Sequence, residues 1–204
     1  MRVGETVHRS PNPRSAFIAE LLTYLGSIDF PYAPRYLGTD ELGRDVLSYV
    51  DGQTTSHPSE RATESYAAGG RMLRRLHDVT AAHHLAGGAE CVRHGDPGPF
   101  NTIFRNGMPI AFIDWDAATP GRRIDDLGYM AWTWCIQAAG NVRIADQAHH
   151  LRLLRDGYGY ICGDELLDAI LRAQTGIAEQ ESVIINNGGQ LAARRAHARA
   201  AVDW

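Results

Sequence analysis

The spacing of apolar residues changes along this chain, from short strand-like runs near the N-terminus to helical spacing in most of the remaining sequence. Residues 2–10 predict two short strands around a tight turn at Gly4-Glu5, and residues 34–50 predict a second strand–turn–strand unit. Between these units, apolar residues at helical spacing follow Ser15, a good N-cap residue, and predict a helix over residues 16–25. The first part of the chain is therefore predicted to form a small antiparallel sheet with one helix.

Helical spacing dominates from residue 60 onward, with one clear interruption. Helices are predicted over residues 60–79, 126–139, 143–158, 164–180 and 182–202, with Gly-rich breaks at residues 157–163 and at Gly188-Gly189. The interruption is Asn106-Gly107, which lies between two apolar runs and is the strongest short-range signal for a β-hairpin. The second part of the chain is therefore predicted to be mainly helical, with one hairpin before residue 114.

Length and composition set broad limits on the kind of protein this is. The chain has 204 residues, of which 44% are apolar and 22% charged, enough for one substantial core. Its net charge of −4 gives no reason to expect general nucleic-acid binding. No apolar run is long enough to span a membrane, and the N-terminus lacks the apolar segment of a signal peptide. The three cysteines form no Cys-x-x-Cys motif, so reduced thiols in a cytoplasmic protein are expected.

The residues suited to chemistry lie close together in the sequence. His94-Gly95-Asp96 is followed by Asn101, and the predicted hairpin then leads to Asp114. Such a hairpin returns Asp114 close to Asn101, as a shared metal site requires. A carboxylate and an amide oxygen are ligands that Mg²⁺ accepts beside phosphates, and Asp96 can accept the proton of an attacking hydroxyl. The pattern H-x-D-x-x-x-x-N is that of the protein-kinase catalytic loop, in which Asp is the base and Asn binds a metal.

These residues also allow structural interpretations. Residues 94–99 alone would pass for an ordinary turn, since Gly, Pro and Asp dominate turns. The joint occurrence of Asn101 and Asp114 at these spacings argues against that interpretation. His94 is expected to hold the loop through backbone hydrogen bonds rather than to transfer a proton. Asp116 has two open roles, contacting a metal through water or capping the next turn, and a supporting role is favoured.

The segment resembles the aminoglycoside phosphotransferase and choline kinase family, whose members share a protein-kinase-like fold. That family has the loop H-G-D-x-x-x-x-N followed by a metal-binding Asp in an I-D-[WF]-[DE]-x-A stretch, which residues 113–118 match. The resemblance implies that Asp96 is the catalytic base and that Asn101 and Asp114 hold magnesium. It further implies that Asp126 lies at the start of a helix and braces the catalytic loop.

The resemblance also implies a fold, cofactors and a substrate class. The fold would be α+β and protein-kinase-like, with a partial antiparallel sheet lobe over residues 1–52 and a mainly helical C-terminal lobe over residues 53–204. ATP or GTP would bind between the lobes with Mg²⁺, and the γ-phosphate would pass to a hydroxyl of a small-molecule acceptor. Neither nucleic acid nor a membrane is expected as a partner.

Four residues of the first lobe are implied to contact the nucleotide. Arg9 falls near the position of the family's phosphate-binding Lys, which cannot exist here because all 20 basic residues are Arg. Arginine can take its place, since its guanidinium binds phosphate bidentately. Glu20 on the first predicted helix would be the ion-pair partner of Arg9, and a solvent-exposed Glu is an equal alternative. The adenine would hydrogen-bond to backbone near Tyr49 and Val50, at the hinge between the lobes.

The Gly-rich loop that covers the phosphates in kinases joins their first two strands, and no such loop precedes Arg2. The chain begins midway through the implied second strand, which a late start-site assignment, a trimmed sequence or a natural truncation would each explain. A missing strand exposes a sheet edge, which invites pairing with another chain. We therefore expect either a homodimer through that edge or a poorly ordered N-terminal lobe.

Three functional hypotheses arise from these residues. The first is a small-molecule kinase. The second is a catalytically weak or inactive kinase-like domain that binds a nucleotide or another ligand, favoured by the missing Gly-rich loop and Lys. The third is an unrelated metal hydrolase that uses Asp96, Asp114 and Asp116, which explains neither His94-Gly95 nor Asn101.

Overall fold

The computed structural model describes residues 1–137, 142–159 and 161–186. All of the described strands lie within residues 2–121, and the described residues after 121 are mainly helical. The strands are β1 (Arg2–Val3), β2 (Thr6–Arg9), β3 (Tyr36–Thr39), β4 (Asp45–Ser48), β5 (Cys91–Arg93), β6 (Thr102–Arg105), β7 (Met108–Phe112) and β8 (Thr119–Gly121). The helices are α1 (Ser15–Ser27), α2 (Glu64–Thr80), α3 (Arg123–Cys135), α4 (Ile144–Tyr158) and α5 (Gly163–Asn186).

The first four strands form one antiparallel sheet in the order β1-β2-β4-β3. In its register, β2 pairs with β4 from Thr6 opposite Ser48 to Arg9 opposite Asp45. Helix α1 contacts β3 and has four buried apolar residues, Ile18, Leu21, Leu22 and Leu25. The two strand pairs and the helix predicted for this region are confirmed. Strand β1 lies at the edge of the sheet, and pairing of that edge with a second copy stays a prediction.

Two small sheets lie on either side of the loop at residues 94–101. In the first, β5 pairs with β8 in antiparallel fashion. In the second, β6 and β7 form the predicted hairpin, joined by Asn106 and Gly107, whose positive φ values of 52° and 74° suit a tight two-residue turn. Thr102 lies opposite Phe112 in this hairpin, so the residues just before β6 and just after β7 are held side by side.

Helices α2 to α5 build the rest of the fold around an apolar core. The backbones of α2 and α4 approach closely at two glycines. A Cβ on Gly70 would lie 2.3 Å from the carbonyl oxygen of Leu154, and one on Gly157 would lie 2.2 Å from that of Ala67. The core between these helices and the hairpin contains large, fully buried side chains, among them Tyr66, Met72, Leu73, Phe104, Phe112 and Trp134. The observed α+β arrangement, an N-terminal antiparallel sheet followed by a mainly helical part, is the predicted one.

Helix α2 begins later than predicted, at Glu64 rather than at residue 60. The preceding residues, Pro58–Glu60, form a separate 3-10 turn. The Glu60 carboxylate closes that turn by accepting the backbone N–H groups of Ser56 at 2.6 Å and His57 at 2.9 Å. A side chain that satisfies these donors stabilises the turn as a unit of its own and moves the helix start downstream.

The later helices also differ from the predictions. Helix α3 begins at Arg123, before the predicted start at residue 126. Helix α5 runs unbroken to Asn186, so the break predicted near residue 181 is wrong. Residues 177–186 contain neither Gly nor Pro, and nothing in them interrupts a helix. The remainder of the helix predicted over residues 182–202, and the break at Gly188-Gly189, lie outside the described residues.

Two structural features bear on the environment expected from composition. None of the described helices combines the length and the apolar character needed to cross a membrane. Cys91 and Cys135 are buried, Cys162 is exposed, and all three are free thiols.

Candidate functional site

Strand β5 leads directly into the loop that begins with His94. This residue is fully buried, and its ring packs against Trp115 with the ring centroids 4.6 Å apart. Its Nδ1 accepts the backbone N–H of Asp96 at 3.3 Å, so the ring proton lies on Nε2, which donates to the carbonyl oxygen of Ile113 at 3.1 Å. Burial lowers the pKa of His94 and keeps the ring neutral. These contacts tie the loop to the end of the hairpin, as a structural role requires.

The carboxylate of Asp126, in the first turn of α3, lies directly behind this loop. It accepts the backbone N–H groups of His94 at 2.7 Å and Gly95 at 2.9 Å, and it forms a third hydrogen bond with His77 Nε2 at 3.1 Å. Burial alone would raise the pKa of Asp126, but the hydrogen bonds from His77 and from the Gly95 N–H lower it. Asp126 therefore holds two successive backbone groups of the loop, at the position that the resemblance implied.

Gly95 brings this loop into contact with the turn that follows β7. Its φ of +86° lies in the left-handed region that favours glycine. A Cβ at this position would lie 2.2 Å from the carbonyl oxygen of Ala117. Backbone contacts backbone here, so the loop with Asp96 and the turn with Asp114 are held together without an intervening side chain.

We expect Gly95→Ala to destabilise the protein by about 2 kcal/mol more than Gly88→Ala does. Gly88 is a matched control, because its φ of +88° is nearly the same while no atom lies within 4 Å of a Cβ built there. Both variants share the backbone strain, and the difference between them isolates the clash with Ala117. Urea unfolding measures both free energies of unfolding, and equal values would show that the loop and the turn separate without penalty.

The hairpin brings Asn101 and Asp114 together. The backbone N–H of Ile113 donates to the carbonyl oxygen of Asn101 at 2.8 Å. This hydrogen bond holds Asp114, the residue after Ile113, beside Asn101. The carboxamide nitrogen of Asn101 donates to the backbone carbonyl of Asp96 at 3.2 Å. No described residue donates to the carboxamide oxygen of Asn101, which is left to accept a ligand. The structure thus brings together the three residues on which the sequence-based site rests.

Asp114 has a left-handed backbone conformation, with φ 57° and ψ 67°, at the start of the 3-10 turn Trp115–Ala117. Its side chain is half-exposed. Partial burial raises the pKa of Asp114, as does the neighbouring charge of Asp116, while the charge of Arg9 lowers it. Two carboxylates in one turn therefore carry negative charge that a bound cation would neutralise.

The donors at this site suit magnesium. Asn101 and Asp114 offer an amide oxygen and a carboxylate, which are the hard ligands that Mg²⁺ prefers, and the ion retains positions for phosphate oxygens and water. Within residues 1–137, 142–159 and 161–186, no group of three or more His, Cys, Asp or Glu residues could hold a metal ion.

Arg9 extends from the end of β2 to the turn with the two acids, and its partner is not Glu20. Its guanidinium forms an ion pair with Asp116 and lies 3.7 Å from the carboxylate of Asp114. Glu20 instead pairs with His84, with Oε1 and Nε2 2.6 Å apart and both side chains largely exposed. Of the two alternatives for Glu20, the pair with Arg9 is wrong and the exposed side chain is observed, because Arg9 at the end of β2 lies at the turn with the two acids. Asp116 takes up this ion pair, a role that the sequence did not suggest.

Two further residues that the sequence analysis missed contact the same turn. Asn12 Nδ2 donates to the Asp116 carboxylate at 3.0 Å, and the guanidinium of Arg14 donates to the carbonyl oxygen of Ala118. Both residues follow β2 in a segment whose prolines indicate only a break in the chain. A polar residue between two prolines was the available signal. Together with Arg9, these residues join the N-terminal sheet to the turn with Asp114.

Tyr49 and Val50, the residues predicted to contact a nucleotide base, follow β4. The backbone N–H of Tyr49 already donates to the carbonyl oxygen of Glu5 at 2.8 Å, and the Arg2 guanidinium lies 3.6 Å from the centre of the Tyr49 ring. In the described part of the chain, no group hydrogen-bonds to the backbone N–H of Val50. Val50 therefore has the available backbone donor of the two, and their contact with a base stays a prediction.

Comparison with known proteins relates this site to a family. A model of the phosphotransferase enzyme family matches residues 80–161, which include the loop, the hairpin and α3. The trifolitoxin immunity protein of Rhizobium leguminosarum bv. trifolii is 34% identical over 181 residues, which cover 78% of this chain and 69% of that protein. The similarity to this relative thus extends well beyond the segment matched by the family model.

Solved structures share the fold at lower sequence identity. The macrolide 2'-phosphotransferase of Brachybacterium faecium superposes with a TM-score of 0.63 at 15% identity, over 96% of this chain and 83% of that chain. A choline/ethanolamine kinase family protein of Mesorhizobium loti superposes with a TM-score of 0.60 at 18% identity, over 98% of this chain and 81% of that chain. The aminoglycoside phosphotransferase APH(3'')-Id of Streptomyces rimosus, in complex with ADP and streptomycin, superposes with a TM-score of 0.54 at 16% identity. The match covers 83% of this chain and 85% of that chain. The predicted protein-kinase-like fold is therefore confirmed, and this chain belongs to the phosphotransferase enzyme family.

Proposed function

We propose that this chain is a cytoplasmic phosphotransferase that moves the γ-phosphate of ATP or GTP to a hydroxyl group of a small molecule. The observation that carries the proposal is the 2.8 Å backbone hydrogen bond from Ile113 to Asn101, which sets Asp114 beside Asn101 and near the loop with Asp96. The proposed base and both proposed metal ligands then lie close together. Membership of the family supports the same class of reaction.

Asp96 acts as the general base in this proposal. Its carboxylate accepts the proton of the acceptor hydroxyl while that oxygen bonds to the γ-phosphorus and the bond from phosphorus to the bridging oxygen breaks. The products are the phosphorylated acceptor and a nucleoside diphosphate. Phosphoryl transfer depends mainly on accurate placement of the reacting groups. The contacts of His94 and Asp126 with the loop supply that placement.

Asn101 and Asp114 would hold the magnesium ion that accompanies the nucleotide. A bound Mg²⁺ supplies neutralisation of phosphate charge during transfer. Both ligands are fixed beforehand, Asn101 by its hydrogen bond to the Asp96 carbonyl and Asp114 by the left-handed start of its turn. Asp116 supports them by holding Arg9 beside the same turn.

Arg9 would steady the phosphates once a nucleotide binds. A phosphate offers the guanidinium a bidentate partner just as a carboxylate does, so the nucleotide would compete with Asp116 for Arg9. Glu20 has no part in this arrangement, because it pairs with His84. The base would lie against the hinge at Tyr49 and Val50.

The acceptor class is suggested by the related proteins. By its name, the Rhizobium relative gives immunity to trifolitoxin, and two of the superposed structures are phosphotransferases of macrolides and aminoglycosides. We extend this to the present chain and propose a hydroxyl-bearing antimicrobial compound as its acceptor.

A second candidate function is a kinase-like domain that binds a nucleotide or another ligand with little or no turnover. It is favoured by Arg9, whose guanidinium is held by Asp116 instead of a helix carboxylate, and by the absence of Lys from the sequence. Phosphate release distinguishes the two functions, because only the first consumes the nucleotide.

The test combines nucleotide binding with phosphate release in Asp114→Asn. Asparagine tolerates the left-handed backbone at this position and removes only the charge. A ligand at a hundredfold excess over its Kd stabilises a protein by about 2.7 kcal/mol. Mg-ATP should therefore raise the melting temperature of the wild type by several degrees. EDTA chelates Mg²⁺ and should abolish the magnesium-dependent part of this rise in the wild type. Asp114→Asn should lack that magnesium-dependent part, and its phosphate release should fall as well.

Asp29→Asn is the matched control for this test. Asp29 also has a positive φ, 51°, but it pairs with Arg35 rather than lying beside a second acid. It should keep both the thermal shift and the phosphate release. Nucleotide binding without phosphate release that depends on Asp114 would favour the binding domain. A wild type insensitive to Mg-ATP would count against the phosphotransferase and leave a domain that binds another ligand.

A further inference from the structure

One face of α3 lies beside the carboxylate of Asp96. Tyr129 and Thr133 are one helical turn apart on this face, and both are half-buried. The position at which Gly98 would carry a Cβ is 3.3 Å from Asp96 Oδ1, 3.7 Å from Thr133 Oγ1 and 3.8 Å from Tyr129 Cε1. The carboxylate, the hydroxyl and the ring edge therefore converge at Gly98, which has no side chain to separate them.

The ring edge of Tyr129 faces the Asp96 carboxylate, since Tyr129 Cε1 and Asp96 Oδ1 both lie within 4 Å of that one position beside Gly98. Burial raises the pKa of Tyr129 far above its usual range, and the charge and hydrogen bond of Asp96 raise it further. The phenol therefore keeps its proton near neutral pH, and toward a carboxylate it can act only as the donor. Trp132 contacts the Tyr129 ring edge to face with the centroids 5.9 Å apart, which restricts the direction of the hydroxyl.

Thr133 does not compete for this role. Its hydroxyl donates to the backbone carbonyl of Tyr129 at 2.9 Å, so its proton is already used within the helix. In the described part of the chain, no other side chain donates to the Asp96 carboxylate. The orientation of that carboxylate among side chains thus depends on Tyr129.

We propose that Tyr129 is a positioning residue for phosphoryl transfer: its hydroxyl donates to one oxygen of Asp96 and so directs the other oxygen to the acceptor hydroxyl. The inference rests on the proposed function, in which Asp96 is the base. A carboxylate rotates about a single bond, and a donor on one oxygen fixes where the other one points.

Tyr129→Phe tests this role in the full chain, with hydrolysis of Mg-ATP as the assay and water as the acceptor. We expect kcat to fall about tenfold because the base is no longer held in one orientation, while the KM for Mg-ATP stays unchanged. Unchanged kcat would overturn the inference.

Tyr24→Phe is the matched control. It removes a hydroxyl that donates to the carbonyl oxygen of Val79 at 2.7 Å and has no contact with Asp96. It should leave kcat unchanged. A loss of kcat equal to that of Tyr129→Phe would mean that any lost tyrosine hydroxyl has this effect, which would also overturn the inference.

A second measurement does not depend on turnover. In protein labelled with ¹³C at tyrosine Cζ, the Tyr129 resonance is assigned by its absence from Tyr129→Phe. Asp96→Asn should shift this resonance, because the charged acceptor is removed, and an unmoved resonance would overturn the contact. If the resonance moves while Asp96→Ala leaves hydrolysis intact, the contact stands but the proposed function fails, and the positioning role fails with it.

Discussion

Asp96→Ala is expected to reduce phosphate release from Mg-ATP by about 10²- to 10⁴-fold, the usual contribution of a general base, while nucleotide binding stays close to that of the wild type. The two effects separate because the side chain of Asp96 is not one of the proposed metal ligands. Asn101 contacts only the backbone carbonyl of Asp96, at 3.2 Å. Alanine keeps that carbonyl, so the hydrogen bond that fixes Asn101 is retained when the base is removed.

Asp156→Ala is a suitable control for this variant. Asp156 forms a surface ion pair with Arg155, and its loss should change neither binding nor turnover. The Mg-ATP thermal shift measures binding, and phosphate release measures turnover. Wild-type turnover in Asp96→Ala would refute the role of this residue as base, whereas a lost thermal shift would mean that Asp96 belongs to the nucleotide site.

Short-range sequence rules were sufficient to predict the loop and the hairpin. Asn106-Gly107 favours one kind of tight turn, and the hairpin that it closes sets Asp114 beside Asn101. The spacing of His94 and Asp96 likewise predicted the position of the loop in the chain. These residues are close in sequence, so their relative placement depends on local backbone geometry and little else.

Partners from distant segments could not be predicted in this way. Arg9 and Asp116 are 107 positions apart, and whether Arg9 pairs with Asp116 or with Glu20 depends on where β2 ends relative to the turn, which spacing does not specify. Tyr129 was missed for a different reason, since a half-buried aromatic residue on a helix face has the same sequence pattern as an ordinary core residue. Sequence therefore located the proposed reacting groups, whereas the side chains that orient them required the structure.

Asp126→Asn is expected to destabilise the protein by about 3–5 kcal/mol, the usual effect of disrupting a buried charged network. The carboxylate bonds to the backbone N–H groups of His94 and Gly95 and to His77, whereas an amide would turn its NH₂ group toward one of these donors. Asp125→Asn is the matched control. Its carboxylate forms a partly exposed ion pair with Arg122, whose loss should change the free energy of unfolding by less than about 1 kcal/mol.

The pH dependence of unfolding tests whether the charge of Asp126 is responsible for this effect. The pKa of Asp126 is lower in the folded chain than the unfolded value of about 3.9, so its contribution is complete above that value and is lost as the pH falls through the folded pKa. Burial lowers the pKa of His94 and the Asp126 charge opposes that shift, so His94 removes more stability from Asp126→Asn than from the wild type below about pH 6.5. Urea unfolding curves of the two proteins should therefore differ from neutral pH down to about pH 4 and converge in stronger acid. A difference that persists unchanged into strong acid would show that the shape of the Asp126 side chain, and not its charge, holds the loop.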